Sequence, residues 1–250
     1  MTPADVRRAL GAVPMMTLEQ GEKLTALLRE YGLRDVLELG FAHGVSTCYL
    51  AAAVQEHGGH VTTVDLQDAR RRKPNLDELL GRIGLASYVT AYYEPTSYTW
   101  RLMRMLEEDP APRFDLCFID GAHTWAVDGF AFFLVDRLLR PGGWLVFDDL
   151  DWKVEECPTT GPAARAAGMP EDERTTAQVD CVYELLVKPH PSYGEFRRED
   201  KWAFARKHPD AASVASAPRR EVVVETRLPR LRDLVPAPAR RVARRLLRRT

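Results

Sequence analysis

What this chain has little of narrows its identity quickly. Only four of its 250 residues are cysteine (Cys48, Cys117, Cys157 and Cys181), and none is spaced as CxxC or set in a Cys/His pattern. That excludes a disulfide scaffold or a zinc module, and Cys48 and Cys117, set among apolar residues, read as reduced core thiols. No apolar run approaches the ~20 residues of a membrane span, and no charged-then-apolar leader opens the chain. The expectation is a soluble, cytoplasmic protein. The pattern G-x-G-x-x-G is missing, which argues against a nicotinamide-dependent dehydrogenase. The dense basic run Arg70-Arg71-Arg72-Lys73 has no interleaved aromatic residue, so it reads as a solvated turn rather than a nucleic-acid surface. Net charge is also nearly absent, at −1, but it is unevenly spread. Residues 210–250 hold 11 Arg, no Lys and 4 acids, a balance of +7, which leaves −8 on residues 1–209.

What is present is an alternation of short apolar runs and helix-like stretches. Residues 35–39, 60–66, 88–93, 116–119 and 144–147 read as strands, and 45–55, 75–83, 98–107 and 124–139 as helices. Such alternation predicts an α/β fold: a Rossmann-like doubly wound sheet, mostly parallel, with helices on both faces. Residues 193–207 read as an antiparallel edge hairpin turning at Glu199-Asp200. Two capped helices come first, one opened by Thr2-Pro3 and one by a capping box at Thr17 and Gln20. Residues 151–174 read as a long irregular loop and 176–187 as a helix. The expected plan is N-terminal helices over 1–34, a main domain over 35–209 and a basic extension over 210–250. In that extension, 221–225 reads as a strand or an extended linker. Residues 236–250 have the spacing of a basic amphipathic helix suited to an anionic membrane surface, the acidic body or nucleic acid, or else form a tail without a role.

The chemistry concentrates between Phe114 and Asp149. One apolar run stops on Asp120, followed by Gly121 and His123, and the next stops on Asp148 and Asp149. Parallel strands place their C-terminal ends on one rim, where open α/β sheets bind ligands. Three carboxylates and an imidazole gathered there need a positive partner, and a hard divalent cation such as Mg²⁺ fits. The plainer alternative is an Asp-Gly turn and an Asp-Asp helix cap. Earlier in the chain, Glu38 precedes the loop Gly40–Gly44, which opens a helix beginning Val45-Ser46. Glycines four apart allow close backbone approach at a helix N-terminus, and the acid beside them suits an amine-bearing ligand better than a pyrophosphate. Asp65 follows Gly40 by 25 residues, about where a ribose-binding acid belongs.

With these residues in view, the chain resembles the class I S-adenosylmethionine (SAM)-dependent methyltransferases, and more narrowly the metal-dependent O-methyltransferases of macrolide sugars, the macrocin and mycinamicin type. VLELGFAHGVST is similar to that family's glycine-rich first motif, VTTVDL to its second, and FIDGAHTW with the downstream FDD to its most diagnostic segment. The resemblance implies SAM held by Glu38, Gly40, Gly44, Ser46, Asp65 and Asp120. It implies Mg²⁺ on Asp120, Asp148 and Asp149, with His123 as general base and a sugar or glycoside hydroxyl as acceptor in a homo-oligomeric enzyme. Catechol-type relatives carry lysine where this chain has His123 and end the acidic pair in asparagine. The rival readings are a catechol-type vicinal-diol O-methyltransferase and a non-catalytic nucleotide-binding regulatory module that works through the basic tail.

Overall fold

The computed structural model describes residues 1–156 and 168–211. Reciprocal capping boxes, Thr2 with Asp5 and Thr17 with Gln20, open α1 (Pro3–Leu10) and α2 (Leu18–Tyr31). Gly32 closes α2 in the left-handed conformation. The chain continues through β1 (Asp35–Leu39), α3 (Val45–Gln55), β2 (His60–Leu66), α4 (Leu76–Ile83), β3 (Val89–Glu94), α5 (Tyr98–Glu107), β4 (Phe114–Ile119), α6 (Trp125–Leu138) and β5 (Leu139–Phe147). After α7 (Glu171–Thr175), α8 (Gln178–Val182) runs into a π-helical stretch, Tyr183–Val187. The hairpin β6 (Tyr193–Glu199) and β7 (Trp202–Lys207) completes the described chain.

Seven strands form one sheet in the order β3-β2-β1-β4-β5-β7-β6. The first five are parallel, and β7 enters antiparallel to β5 and carries β6 on the edge. This is the Rossmann-like α/β sheet with an antiparallel edge hairpin that the sequence predicts. Its central strands β4, β5 and β7 are buried on both faces along most of their length, because helices cover both sides, whereas the edge strand β6 is largely exposed. Val36, Leu116, Phe118, Trp144, Val146, Trp202 and Phe204 join a core with α1 to α4. Their chain neighbours Leu37, Cys117, Ile119, Leu145, Phe147, Ala203 and Ala205 join a second core with α5, α6 and α8. Every residue of α3 from Val45 to Val54 is buried, since the helix lies between the sheet and α1, α2 and α4. Strand order reverses between β1 and β4, which opens a crevice at their C-terminal ends.

Two elements differ from the sequence reading. Leu139 pairs with Phe114, so β5 starts before Arg140-Pro141-Gly142-Gly143 rather than after it. A register shift between Phe114 and Leu116 absorbs these residues, and Arg140 pins the segment by ion pairs of 2.8 Å to both Asp35 and Asp115. Within the stretch expected to be irregular, α7 forms with Glu171, Asp172 and Glu173 in its first turn, where acids complement the helix dipole. The expected strand at 221–225 and basic helix at 236–250 lie outside the described residues, as does Cys157. Among the described residues, no helix is long and apolar enough to cross a membrane.

Candidate active site

The glycine loop is built against its neighbours. Gly40 has φ of 88°, and a Cβ there would run into the Asp120 carbonyl oxygen and the Gly121 Cα. The turns after β1 and β4 therefore touch backbone to backbone, which only glycine allows. Gly44, at φ 96°, would collide with the Leu76 side chain. Both glycines answer first to the protein's own packing. Asp65 stiffens the same loop: its Oδ2 accepts from the N–H groups of Phe41 at 2.9 Å and Ala42 at 2.7 Å, and its Oδ1 from Leu66 at 2.6 Å.

Glu38 lies fully buried beneath this loop. Its Oε2 accepts from the hydroxyls of Thr47 at 2.5 Å and Thr63 at 2.6 Å, whereas Oε1 has no hydrogen-bond partner. Burial pushes the carboxyl up to about 7, opposed by the neighbouring hydroxyls of Ser46, Thr47 and Thr63. A buried acceptor without a donor costs about 1–3 kcal/mol, and Oε1 is free to accept a hydrogen bond. Ser46 is also buried, in the first turn of α3.

Across the crevice, Asp120, His123 and Asp149 each present a ligand atom, all within 4.8 Å of one another. The His123 Nε2 stands 3.9 Å from Asp120 Oδ1 and 3.7 Å from Asp149 Oδ2, beyond hydrogen-bond reach of either. His123 and Asp149 both hold left-handed backbone, at φ 53° and 56°, strain of the kind that collects at functional sites. Asp148 sits behind them, 2% exposed, and its Oδ1 accepts from the Asp149 N–H at 2.6 Å. Burial, then the charges of Asp148 and Asp149, hold the Asp120 carboxyl well above the usual carboxylate range. Burial and Asp149 raise Asp148 as well, against the pull of Lys201. The group thus carries more negative charge than its surroundings neutralise. Carboxylate oxygens with one imidazole are a donor set that suits a hard divalent cation.

Several residues that support this rim were not singled out in the sequence. Lys201, at the turn into β7, ion-pairs with Asp149 and stands 3.3 Å from Asp148 Oδ1. Tyr98 donates to Asp128 and accepts from the Ala122 N–H at 3.3 Å, bracing the loop that carries His123. Gln178 accepts from the Trp125 N–H at 2.7 Å, which ties α8 to the same loop. The Trp152 ring lies 5.0 Å from the His123 ring. Beside the rim is a cavity of about 730 Å³, walled by the α1–α2 loop (Val13, Met15, Met16) and the β6–β7 turn (Asp200, Lys201, Trp202). An ion pair of 2.9 Å between Lys23 and Asp200 joins the two walls.

Residues 37–150 match the family model described as a methyltransferase domain. A catechol O-methyltransferase of Niastella koreensis is 32% identical over 151 residues, covering 59% of this chain and 64% of that relative. The chain thus spans under two thirds of that relative's length. The O-methyltransferase TomG of Streptomyces achromogenes, in complex with SAM, superposes with a TM-score of 0.56 at 22% identity, covering 82% of this chain and 87% of TomG. An O-methyltransferase from Bacillus cereus in complex with SAH gives 0.58 at 22% identity, covering 82% of this chain and 90% of the other. At that identity the likeness is one of fold. The fold is the one seen in Rossmann-like methyltransferases, and the segment that matches the methyltransferase-domain model carries the glycine loop and every residue of the acidic rim except Lys201.

Proposed function

We propose that this protein transfers the methyl group of SAM to a hydroxyl of a small molecule, with Mg²⁺ at the acidic rim and a vicinal diol of a sugar or glycosylated natural product as acceptor. The observation that carries the reading is the meeting, at the sheet's switch point, of Glu38 with its unpartnered Oε1 and the Asp120–His123–Asp149 group. Glu38 receives the donor's ammonium, and Gly40, Gly44 and Ser46 shape the pocket around it. Asp65 holds the loop and offers its remaining lone pairs to the ribose hydroxyls. SAM supplies a methyl group already activated on a sulfonium.

Asp120, Asp148 and Asp149 would hold the metal, which supplies positive charge and a template for two neighbouring acceptor oxygens. His123 accepts the hydroxyl proton, as imidazole is the side chain that exchanges protons near neutral pH. The acceptor oxygen forms its new bond to the methyl carbon as the carbon–sulfur bond breaks, and the sulfur leaves as a neutral thioether. Alignment of oxygen, carbon and sulfur within a closed crevice supplies much of the rate.

The catechol O-methyltransferase relative favours a second reading, in which the diol is aromatic. Acceptor profiling separates the two. Turnover of SAM is followed by mass spectrometry against a panel of glycosides and a panel of catechols, with and without EDTA. Methylation of glycosides that EDTA abolishes supports the proposal. Methylation of catechols alone moves the acceptor class, and turnover indifferent to EDTA removes the metal.

A further inference from the structure

Three carboxylates converge on the rim, and Lys201 is the basic side chain paired with two of them. It belongs to the turn into β7, which lies beside Asp148 and Asp149 only because β7 inserts antiparallel next to β5. The Leu150 N–H donates to the Lys201 carbonyl oxygen at 2.9 Å, so the backbone at Lys201 is fastened to the rim. The ammonium pairs with Asp149 and reaches Asp148 Oδ1 at 3.3 Å, while 39% of the side chain remains exposed. The same side chain lines the neighbouring cavity, whose walls also carry Arg7, Glu19, Lys23, Glu199 and Asp200. Lys201 therefore borders both the acidic rim and an open cavity from one fixed backbone position.

We propose that Lys201 is a built-in counter-cation of the acidic rim, that it competes with the divalent metal for Asp149, and that it thereby sets how tightly the site holds metal. This rests on the metal reading above. Asp149 belongs to both the Lys201 ion pair and the Asp120–His123–Asp149 group. A cation entering that group meets an ammonium already bound to one of its ligands, and two like charges at such separation repel strongly even at the higher effective dielectric of a protein rim. Metal binding then requires the Lys201 ammonium to leave Asp149, and the neighbouring cavity, which the same side chain already lines, leaves room for it. In the metal-free protein the same ammonium relieves the repulsion among the three carboxylates, so the fold keeps its rim assembled without the ion. Lys201 acts here through its charge, by setting the affinity of the site for metal.

The test is calorimetric titration of Mn²⁺ and Mg²⁺ into the full-length protein, comparing wild type with Lys201→Met and Lys201→Arg. Lys201→Met is expected to bind Mn²⁺ roughly ten-fold or more tightly than wild type, and Lys201→Arg to stay near wild type. Its melting temperature is expected to fall without metal and to recover with it. Damage to the fold weakens a metal site, so a gain in affinity is a readout that a merely structural role does not give. Lys201→Gln provides the same comparison should the methionine variant fold poorly, and Asp120→Asn added to either variant should abolish the tight binding. Wild-type binding with no gain in either neutral variant overturns the competition and leaves the metal reading intact. No binding of either ion by any variant overturns both.

Discussion

Tyr98 and Asp128, thirty residues apart, are joined by a hydrogen bond beneath the loop that carries His123. Asp128 Oδ2 also accepts from the Thr124 N–H at 2.9 Å, and the Tyr98 ring lies where a Cβ on Gly121 would fall. One buried pair thus holds the segment from Gly121 to Thr124 in the left-handed bend that aims His123 at Asp120 and Asp149. Replacing Tyr98 with Phe keeps the ring and removes the bond. We expect a loss of about 1–2 kcal/mol in chemical denaturation. We also expect a lower kcat with SAM affinity unchanged, since the donor pocket lies on the β1 side. An unaltered kcat would show that the loop is held by other means.

Asp65 divides three backbone N–H groups between its two oxygens. Asparagine would turn an amide N–H toward at least one of them. Asp65→Asn should cost about 1–3 kcal/mol of stability and weaken SAM binding, measured by denaturation and by calorimetry. Weakened binding with full stability would mean that the carboxylate serves the ligand alone.

Glu38 gives the protein a pH dependence of known sign. Its carboxyl titrates near 4.5 when free and near 7 in the folded protein. Between these values the fold retains a proton that the unfolded chain has released. The group's stabilising contribution is complete below pH 4.5 and is lost as pH rises through about 7, by about 3 kcal/mol. Glu38→Gln should flatten that part of the stability profile. If the ammonium of SAM pairs with Glu38, wild-type affinity for SAM rises between pH 5 and pH 7.5, and the glutamine variant shows no such rise. An identical slope in both proteins would assign the titration to another group.

His123 stands close enough to both carboxylates to be either a base or a metal ligand, and one variant distinguishes the roles. As a base, His123→Ala lowers kcat by about 10²-fold or more while Mg²⁺ and SAM bind as before. A parallel loss of Mg²⁺ affinity would make it a ligand instead.

Much of the frame was legible because local signals agree with the tertiary outcome. The stretches Asp35–Leu39, Val45–Gln55, His60–Leu66 and Tyr98–Glu107 form where apolar period and caps place them. The rim was legible at Asp120, His123 and Asp149 because parallel strands deliver their C-terminal ends to one side. What distinguishes Asp148 from Asp149 was not legible. Both lie beyond the end of β5, and the left-handed backbone of Asp149 turns it toward the crevice while Asp148 stays buried. Lys201 could not be found from spacing either: it lies 52 residues from Asp149 and arrives through the insertion of β7 beside β5. The Arg140-Pro141-Gly142-Gly143 segment carries turn chemistry, yet pairing with β4 and two ion pairs at Arg140 draw it into the strand.

The central claim is methyl transfer from SAM to a diol. The most direct measurement is the appearance of S-adenosylhomocysteine and of an acceptor heavier by one methylene when protein, SAM, Mg²⁺ and a mixed panel of glycosides and catechols are incubated together. The account predicts both products in equal amounts, and their loss in Asp120→Asn. Tight SAM binding without either product on any diol would contradict the catalytic reading, and failure to bind SAM at all would contradict the site.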